Sequence, residues 1–269
     1  MGAKVITITS GKGGVGKTTT TANLSIALAR LGKRVVAIDA DIGLRNLDIV
    51  MGLENRIVYD LVDVVEGRCR LPQAMIRHKQ FPNLYLIAAA QTRDKTAVSP
   101  SDMVALTRKL RPEHDFILID SPAGIERGFR NAVAPADEVL IVTNPEVSAV
   151  RDADRIIGLL EAFNRGPGQL IINRIKPEMV RRGEMLSAKD VTDILSIRII
   201  GIVPEDETVI PSSNSGVPVT MSENSRAGQA FMNIARRLTG ENVPFMQLDS
   251  TGNLFQRIAR LFGGSNNET

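Results

Sequence analysis

An α/β fold, with a mostly parallel central sheet covered by helices on both faces, follows from three features of the chain. Seven short runs rich in β-branched residues recur along it, most of them apolar at nearly every position. Strands buried on both faces read this way, whereas a half-solvated strand alternates. Between the runs lie segments whose apolar residues return every three to four positions, the helical period. Strands that alternate with helices in this order build a parallel sheet, because a parallel neighbour is reached only by a crossover. The 269 residues fit one large domain.

In chain order the expected strands are KVITIT (4–9), RVVAID (34–39), LYLIA (84–88), FILID (116–120), EVLIVT (138–143), QLIIN (169–173) and IIGIV (199–203). Helical spacing is clearest in TTTANLSIALARL (19–31) and VRDADRIIGLLEAF (150–163). There is no internal repeat and no low-complexity tract. Gly, Pro, Asn and Ser gather only near the C-terminus, in TGENVPFMQLDSTGN (239–253). The chain therefore divides into a body over 1–240, a linker over 241–252 and a short helix over 253–263.

Composition narrows the class. Apolar residues make up 43%, and no run approaches the roughly 18 that a spanning helix needs. The opening MGAKVITIT passes straight into a strand pattern, without the segments of a secretory signal, so a cytoplasmic protein is expected. The single cysteine, Cys69, excludes an internal disulfide and a cysteine-cluster metal site within one chain. The 33 basic and 30 acidic residues leave a net charge of +3, too small for a broad nucleic-acid surface.

The strongest motif is TSGKGGVGKTTT, in which Gly11, Gly16, Lys17 and Thr18 satisfy G-x-x-x-x-G-K-[ST] between a strand and an amphipathic helix. Glycines let backbone N–H groups converge on phosphate oxygens, and the helix N-terminus adds a partial positive charge. The body is thus expected to be a P-loop NTPase, with Gly11, Lys12, Gly13, Gly14, Val15, Gly16, Lys17, Thr18 and Thr19 around the nucleotide. Lys17 is placed for the β- and γ-phosphates and Thr18 for Mg²⁺. Asp120, ending FILID, is placed to reach the magnesium shell. Asp39 and Asp41 follow the second strand, at the carboxyl edge where an open α/β sheet holds its ligand. Either could orient the attacking water; spacing does not choose between them. A second loop lysine, Lys12, has no role fixed by spacing alone. After QLIIN the chain reads Asn173-Arg174-Ile175-Lys176 rather than the Asn-Lys-x-Asp of guanine-specific switches, which favours ATP.

KGGVGKTT, DADIGLRNLD and DSPAG resemble the deviant Walker A ATPases, the ParA–MinD family. The likeness continues through YDLVDV, QTRDK, TNPEVS, VRDADRI, NRI, GIVPED and the C-terminal tail, nearly the whole length. The resemblance implies that Lys12 is the signature lysine, which crosses to the partner's phosphates in an ATP-bound homodimer. It assigns Asp41 to the attacking water and Asp39 to supporting the magnesium shell. It matches Asn173 to the position that contacts adenine, and Pro204, Glu205 and Asp206 to the loop beside the base. The implied activity is Mg²⁺-dependent ATP hydrolysis. The implied function is a membrane-associated switch that helps position the division septum, with a MinC-like division inhibitor and a MinE-like activator as partners. A ParA-like DNA-partitioning ATPase is the alternative; it would need a basic surface for duplex DNA, and no specific nucleic-acid partner is expected here. Nitrogenase iron protein uses two cysteines per chain for its cluster, which Cys69 alone does not supply. A small-molecule phosphoryl-transfer enzyme would need an acceptor pocket that no motif marks.

In the tail, NLFQRIARLFGG sets Leu254, Phe255, Ile258, Leu261 and Phe262 within an arc of about 120° on a helix. Such a stripe more commonly packs on the protein body. Following a linker, ended by Gly263-Gly264 and flanked by arginines, this one suits an anionic bilayer surface, and the family carries a membrane-targeting helix here. The protein is expected in the cytoplasm and peripherally on the inner face of the cell membrane.

Overall fold

The computed structural model describes residues 2–247, so the expected helix over 253–263, with Leu254, Phe255, Ile258, Leu261 and Phe262, and the end of the linker lie outside the described residues. No helix among the described residues is long and apolar enough to cross a membrane.

The elements run β1 (Lys4–Thr9), α1 (Lys17–Arg30), β2 (Val35–Asp39), α2 (Leu47–Val50), α3 (Leu61–Val65), α4 (Leu71–Ala74), β3 (Ile76–Arg77), β4 (Leu84–Ile87), α5 (Pro100–Leu110) and β5 (Phe116–Asp120). They continue as α6 (Arg127–Val133), β6 (Glu138–Thr143), α7 (Val147–Ala162), β7 (Gln169–Ile175), α8 (Pro177–Arg181), α9 (Ala188–Leu195), β8 (Ile199–Pro204), α10 (Val209–Asn214) and α11 (Arg226–Leu238). One sheet holds all eight strands in the order β3-β4-β2-β5-β1-β6-β7-β8. All seven expected strands are present. The eighth, β3, is a two-residue strand antiparallel to β4 and too short to leave a pattern in the sequence.

Alternation of buried residues splits the core. Ile6 and Ile8 of β1, with Ala37, Leu118, Leu140 and Ile171 of neighbouring strands, face α1 and α11. Val36, Ile38, Ile117 and Ile119 face α3 and α5. Val139, Ile141, Leu170 and Ile172 face α7 and α9. Near-continuous apolar strands thus serve two cores at once. The β1 strand lies between β5 and β6, so the chain leaving it emerges at the middle of the sheet's carboxyl edge, the place an open α/β sheet offers a ligand. Register brings Asp39 opposite Asp120 at the ends of β2 and β5.

Several boundaries differ from the sequence expectation: α7 begins at Val147 rather than 150, and β7 runs on to Ile175 rather than ending at 173. Helix α1 begins at Lys17 rather than 19, because the loop delivers the chain into the helix straight from Gly16. Residues 241–247, expected as linker, have no regular structure but lie against the body, with Met246 packed on the core beneath α1 and α11.

Candidate functional site

The loop after β1 depends on backbone shapes that side chains resist. Gly14 and Gly16 sit at φ 79° and 95°, in the left-handed region. A Cβ on Gly16 would also lie 2.3 Å from Asn173 Nδ2, and one on Gly11 would lie 2.2 Å from the Asp152 carbonyl oxygen. The loop is therefore wedged between β7 and α7, with Val15 buried and Gly13 and Gly14 exposed.

Beneath it, one carboxylate gathers three donors. Lys17 Nζ lies 3.1 Å from Asp120 Oδ1, Thr18 Oγ1 donates to Asp120 Oδ2 at 2.7 Å, and Thr21 Oγ1 donates to Asp120 Oδ1 at 3.0 Å. The Lys17 and Asp120 side chains are only 8% and 1% exposed. Buried charges need partners of this kind. Thr21 is a member that the motif did not mark, although its place one helical turn after Lys17 puts it on the same face.

Asp39 and Asp41, equivalent by spacing, stand in different surroundings. Asp39 is fully buried, and its two oxygens accept from the backbone N–H groups of Asp41 at 3.0 Å, Asn46 at 3.2 Å and Leu47 at 3.1 Å. Burial, and next the charge of Asp120, push Asp39 up to about 7, while the backbone donors of Asp41 and Leu47 and then Lys17 pull the other way. Its carboxylate closes the loop 40–46 like a drawstring. Asp41 rides on that loop at the half-buried rim, where its carbonyl accepts from Leu44 and Arg45. Arg45, at φ 41°, reaches back to the buried Asp48 at 3.0 Å.

Among the described residues no three His, Cys, Asp or Glu gather into a metal-binding cluster. Mg²⁺ held mainly by phosphate oxygens and water needs only one or two protein oxygens. The Thr18 hydroxyl against the Asp120 carboxylate supplies that set, so the residues fit the ion.

Lys12 faces outward on the same loop. Its Nζ lies 3.1 Å from Ser148 Oγ and 3.5 Å from Glu146 Oε2, and the side chain is 43% exposed. Both partners sit at the start of α7, Glu146 at its N-cap position and Ser148 in its first turn, within TNPEVS, whose spacing marks neither.

At the other end of the cleft Asn173 is buried and donates from Nδ2 to the Val15 carbonyl at 2.8 Å. With Gly16, Thr19, Pro204, Glu205 and Ile210 it borders a narrow cleft beside the loop. Glu205 is anchored through its backbone N–H to the Ile175 carbonyl at 3.0 Å. Asp206 also lines this cleft, but its carboxylate is engaged by the protein itself: it accepts from Thr208 N at 3.0 Å, Thr208 Oγ1 at 2.6 Å, Ser225 Oγ at 2.7 Å and Ala227 N at 3.1 Å. Burial pushes it up, but the Thr208 and Ser225 hydroxyls and the two backbone donors prevail and hold it down to about 2.

A glycine loop that opens a helix at the centre of a parallel sheet, over a lysine, threonine and aspartate cluster, defines a P-loop nucleotide-binding protein. A family model described as the CobQ/CobB/MinD/ParA nucleotide binding domain matches residues 6–219, and the chain belongs to that family. Within it the chain groups with the septum site-determining MinD proteins. It is 55% identical over 264 residues to that of Synechocystis sp., across 97% of this chain and 99% of the relative. The MinC:MinD cell division protein complex of Aquifex aeolicus superposes with a TM-score of 0.85 at 51% identity, covering 91% of this chain and 99% of that one. MinD of Pyrococcus horikoshii complexed with Mg-ADP gives a TM-score of 0.79 at 31% identity, over 88% and 96% of the two chains.

Proposed function

We propose that the protein is an ATP-dependent, membrane-associated switch that positions the division septum. The observation that carries the reading is the opposed setting of two lysines on one phosphate loop. Lys17 is buried on Asp120 while Lys12 stands exposed on Glu146 and Ser148. Lys17 serves the β- and γ-phosphates of its own ATP, and Thr18 and Asp120 hold Mg²⁺, with Asp39 fixing the loop behind them. Bound there, the ion neutralises phosphate charge. Asn173 and the segment Pro204, Glu205 and Asp206 border the base. Lys12 is free to pivot to a partner's phosphates, so that hydrolysis awaits a homodimer, and Asp41 on its rim loop orients the water.

The dimer binds the anionic inner surface of the membrane through the apolar arc of the tail. One short amphipathic helix binds marginally, since ordering it offsets much of its burial; two on one dimer gain avidity of about 10² or more. On the membrane the dimer recruits a MinC-like inhibitor, a reading supported by the Aquifex aeolicus complex, and a MinE-like activator stimulates hydrolysis and release. In domain terms, 1–240 is the ATPase, 241–252 the connection and 253–263 the membrane segment.

Co-sedimentation with anionic liposomes in ADP, ATP and a slowly hydrolysed analogue, with duplex DNA in parallel, tests this. Pelleting is expected with ATP and the analogue and not with ADP. Binding to duplex with a steep salt dependence, and none to liposomes, would instead place the protein with the DNA-partitioning ATPases.

A further inference from the structure

Helix α11 ends in a Schellman turn: the Gly240 N–H bonds to the Arg237 carbonyl and the Glu241 N–H to that of Arg236, with Gly240 at φ 95°. The turn reverses the chain, and residues 241–247 run back along the helix. Arg237 then clamps them. Its Nε donates to the Val243 carbonyl at 2.9 Å, Nη1 to that of Ile200 at 2.9 Å and Nη2 to that of Pro244 at 2.8 Å. Its guanidinium also stacks 4.4 Å from the centre of the Phe245 ring. No carboxylate is among these partners; the fork is used wholly to tie strap to body. Further on, Arg226 Nη2 meets the Gln247 carbonyl at 3.4 Å. From Arg237 to Arg226 is eleven residues of helix, about 16 Å. The strap therefore carries the chain from the far end of α11 to its N-terminus, which Asp206 of the cleft rim caps.

We infer that Arg237 is a clamp that sets where and how closely the membrane tail leaves the body, a role that rests on the membrane reading above. From Leu238, the last helical residue, to Leu254, the first residue of the apolar arc, is sixteen positions; from Gln247 it is seven. At most about 3.5 Å per residue, the reach falls from about 55 Å to about 25 Å. It is also measured from the N-terminal end of α11, beside Asp206 at the cleft rim. Effective concentration scales roughly as the −3/2 power of tether length, so the shorter tether raises that of a second tail about three- to four-fold. Lysine keeps the charge at this position but not a fork that spans three carbonyls.

Two measurements on the full chain decide the matter. The sequence has no tryptophan, so Phe245→Trp makes a lone reporter on the strap, read without lipid. Adding Arg237→Gln is expected to shift its emission to the red and to make acrylamide quenching at least about twofold stronger. An unchanged spectrum and unchanged quenching would overturn the clamp whatever the membrane does. With the slowly hydrolysed analogue and anionic vesicles, Arg237→Gln and Arg237→Lys are expected to bind three- to four-fold more weakly than the parent, with dimerisation in solution unchanged. A nine-residue Gly-Ser insertion after Gln247, which leaves Arg237 in place, is expected to do the same and separates tether length from any loss of folding. Parental vesicle affinity in the insertion variant would refute the tether argument. A parent that fails to bind vesicles at all would refute the membrane reading instead, and the tryptophan result would still stand.

Discussion

At the phosphate end of the cleft a single buried carboxylate, Asp120, holds Lys17, Thr18 and Thr21 within 3.1 Å. At the base end the carboxylate of Asp206 is engaged with Thr208, Ser225 and Ala227, and the space is bordered by the Asn173 amide and apolar residues such as Pro204, Ile210 and Phe231. The first end concentrates charge where it is shielded from water, and there electrostatic interactions are strong. The second shapes a loop by bonds among the protein's own groups. Affinity and chemistry should accordingly reside at the phosphate end, and substitutions at the base end should act through loop geometry.

The largest effect is expected from Lys17→Ala. It removes the proposed phosphate ligand and leaves Asp120 buried with only hydroxyl donors. Breaking a buried pair by deleting one partner costs about 3–5 kcal/mol. Calorimetry should find no ATP binding, and urea unfolding without nucleotide should show a stability loss of that order. Full ATP affinity in this variant would remove the asymmetry between the two ends.

Lys12→Ala, five residues earlier, should behave differently. Its contact to Glu146 joins side chains that are 43% and 53% exposed, and such surface pairs contribute about 0–1 kcal/mol. Folding and monomeric ATP binding are expected to stay near parental values. Stimulated hydrolysis should fall by about 10³-fold or more, the scale of a cation supplied in trans to phosphoryl transfer. Calorimetry and phosphate release on the same preparation separate the two lysines; equal loss of ATP affinity in both variants would erase the distinction.

The unequal legibility of the two ends has a physical cause. Cradling a phosphate demands glycines at fixed offsets and a lysine and hydroxyl at the helix start, so Gly11, Gly16, Lys17 and Thr18 stand out at any reading. Seven strands were legible because burial on both faces requires unbroken apolar runs, whereas β3 has two residues and no such constraint. The base end imposes no spacing. Asn173, Pro204 and Glu205 meet only because β7 and β8 are neighbours, and they came from family resemblance rather than from pattern. Thr21 was within reach through its one-turn offset from Lys17. The strap is not legible because Pro and Asn in 241–247 read as linker, and an arginine three residues before a glycine does not announce which carbonyls it will bind.

Asp41→Ala sharpens the division within the phosphate end itself. Asp39 is enclosed by backbone donors, and Asp41 rides the loop they close, so removing Asp41 should spare assembly. An ATP-bound dimer is expected to form and persist on vesicles, with stimulated turnover lowered by about 10²-fold or more, the scale of a lost proton-transfer partner. Size-exclusion chromatography with light scattering, followed by phosphate release, checks both halves. Parental stimulated turnover would show that Asp41 is misassigned.

The smallest effect belongs to Asp206 and is lost in acid. Its folded-state value, about 2, lies below that of an unfolded aspartate, about 3.9. A depressed carboxyl contributes stability that is fully present above about pH 4 and is lost as pH falls through about 2, because protonation removes the charge its four donors face. Many carboxylates titrate in this range, so the informative quantity is the difference between the parent and Asp206→Asn. Asparagine keeps one acceptor oxygen and the shape of the side chain but never carries the charge. Urea unfolding from pH 7 to pH 2 should show the parent more stable at neutral pH and the gap narrowing below pH 4. The cleft contacts stay intact, so ATP affinity at pH 7 should change far less than in Lys17→Ala. A gap that stays constant across the whole range would mean that the turn is held by side-chain shape alone. A large loss of ATP affinity would mean that Asp206 acts on the nucleotide directly, and the contrast between the two ends of the cleft would fail at its weaker side.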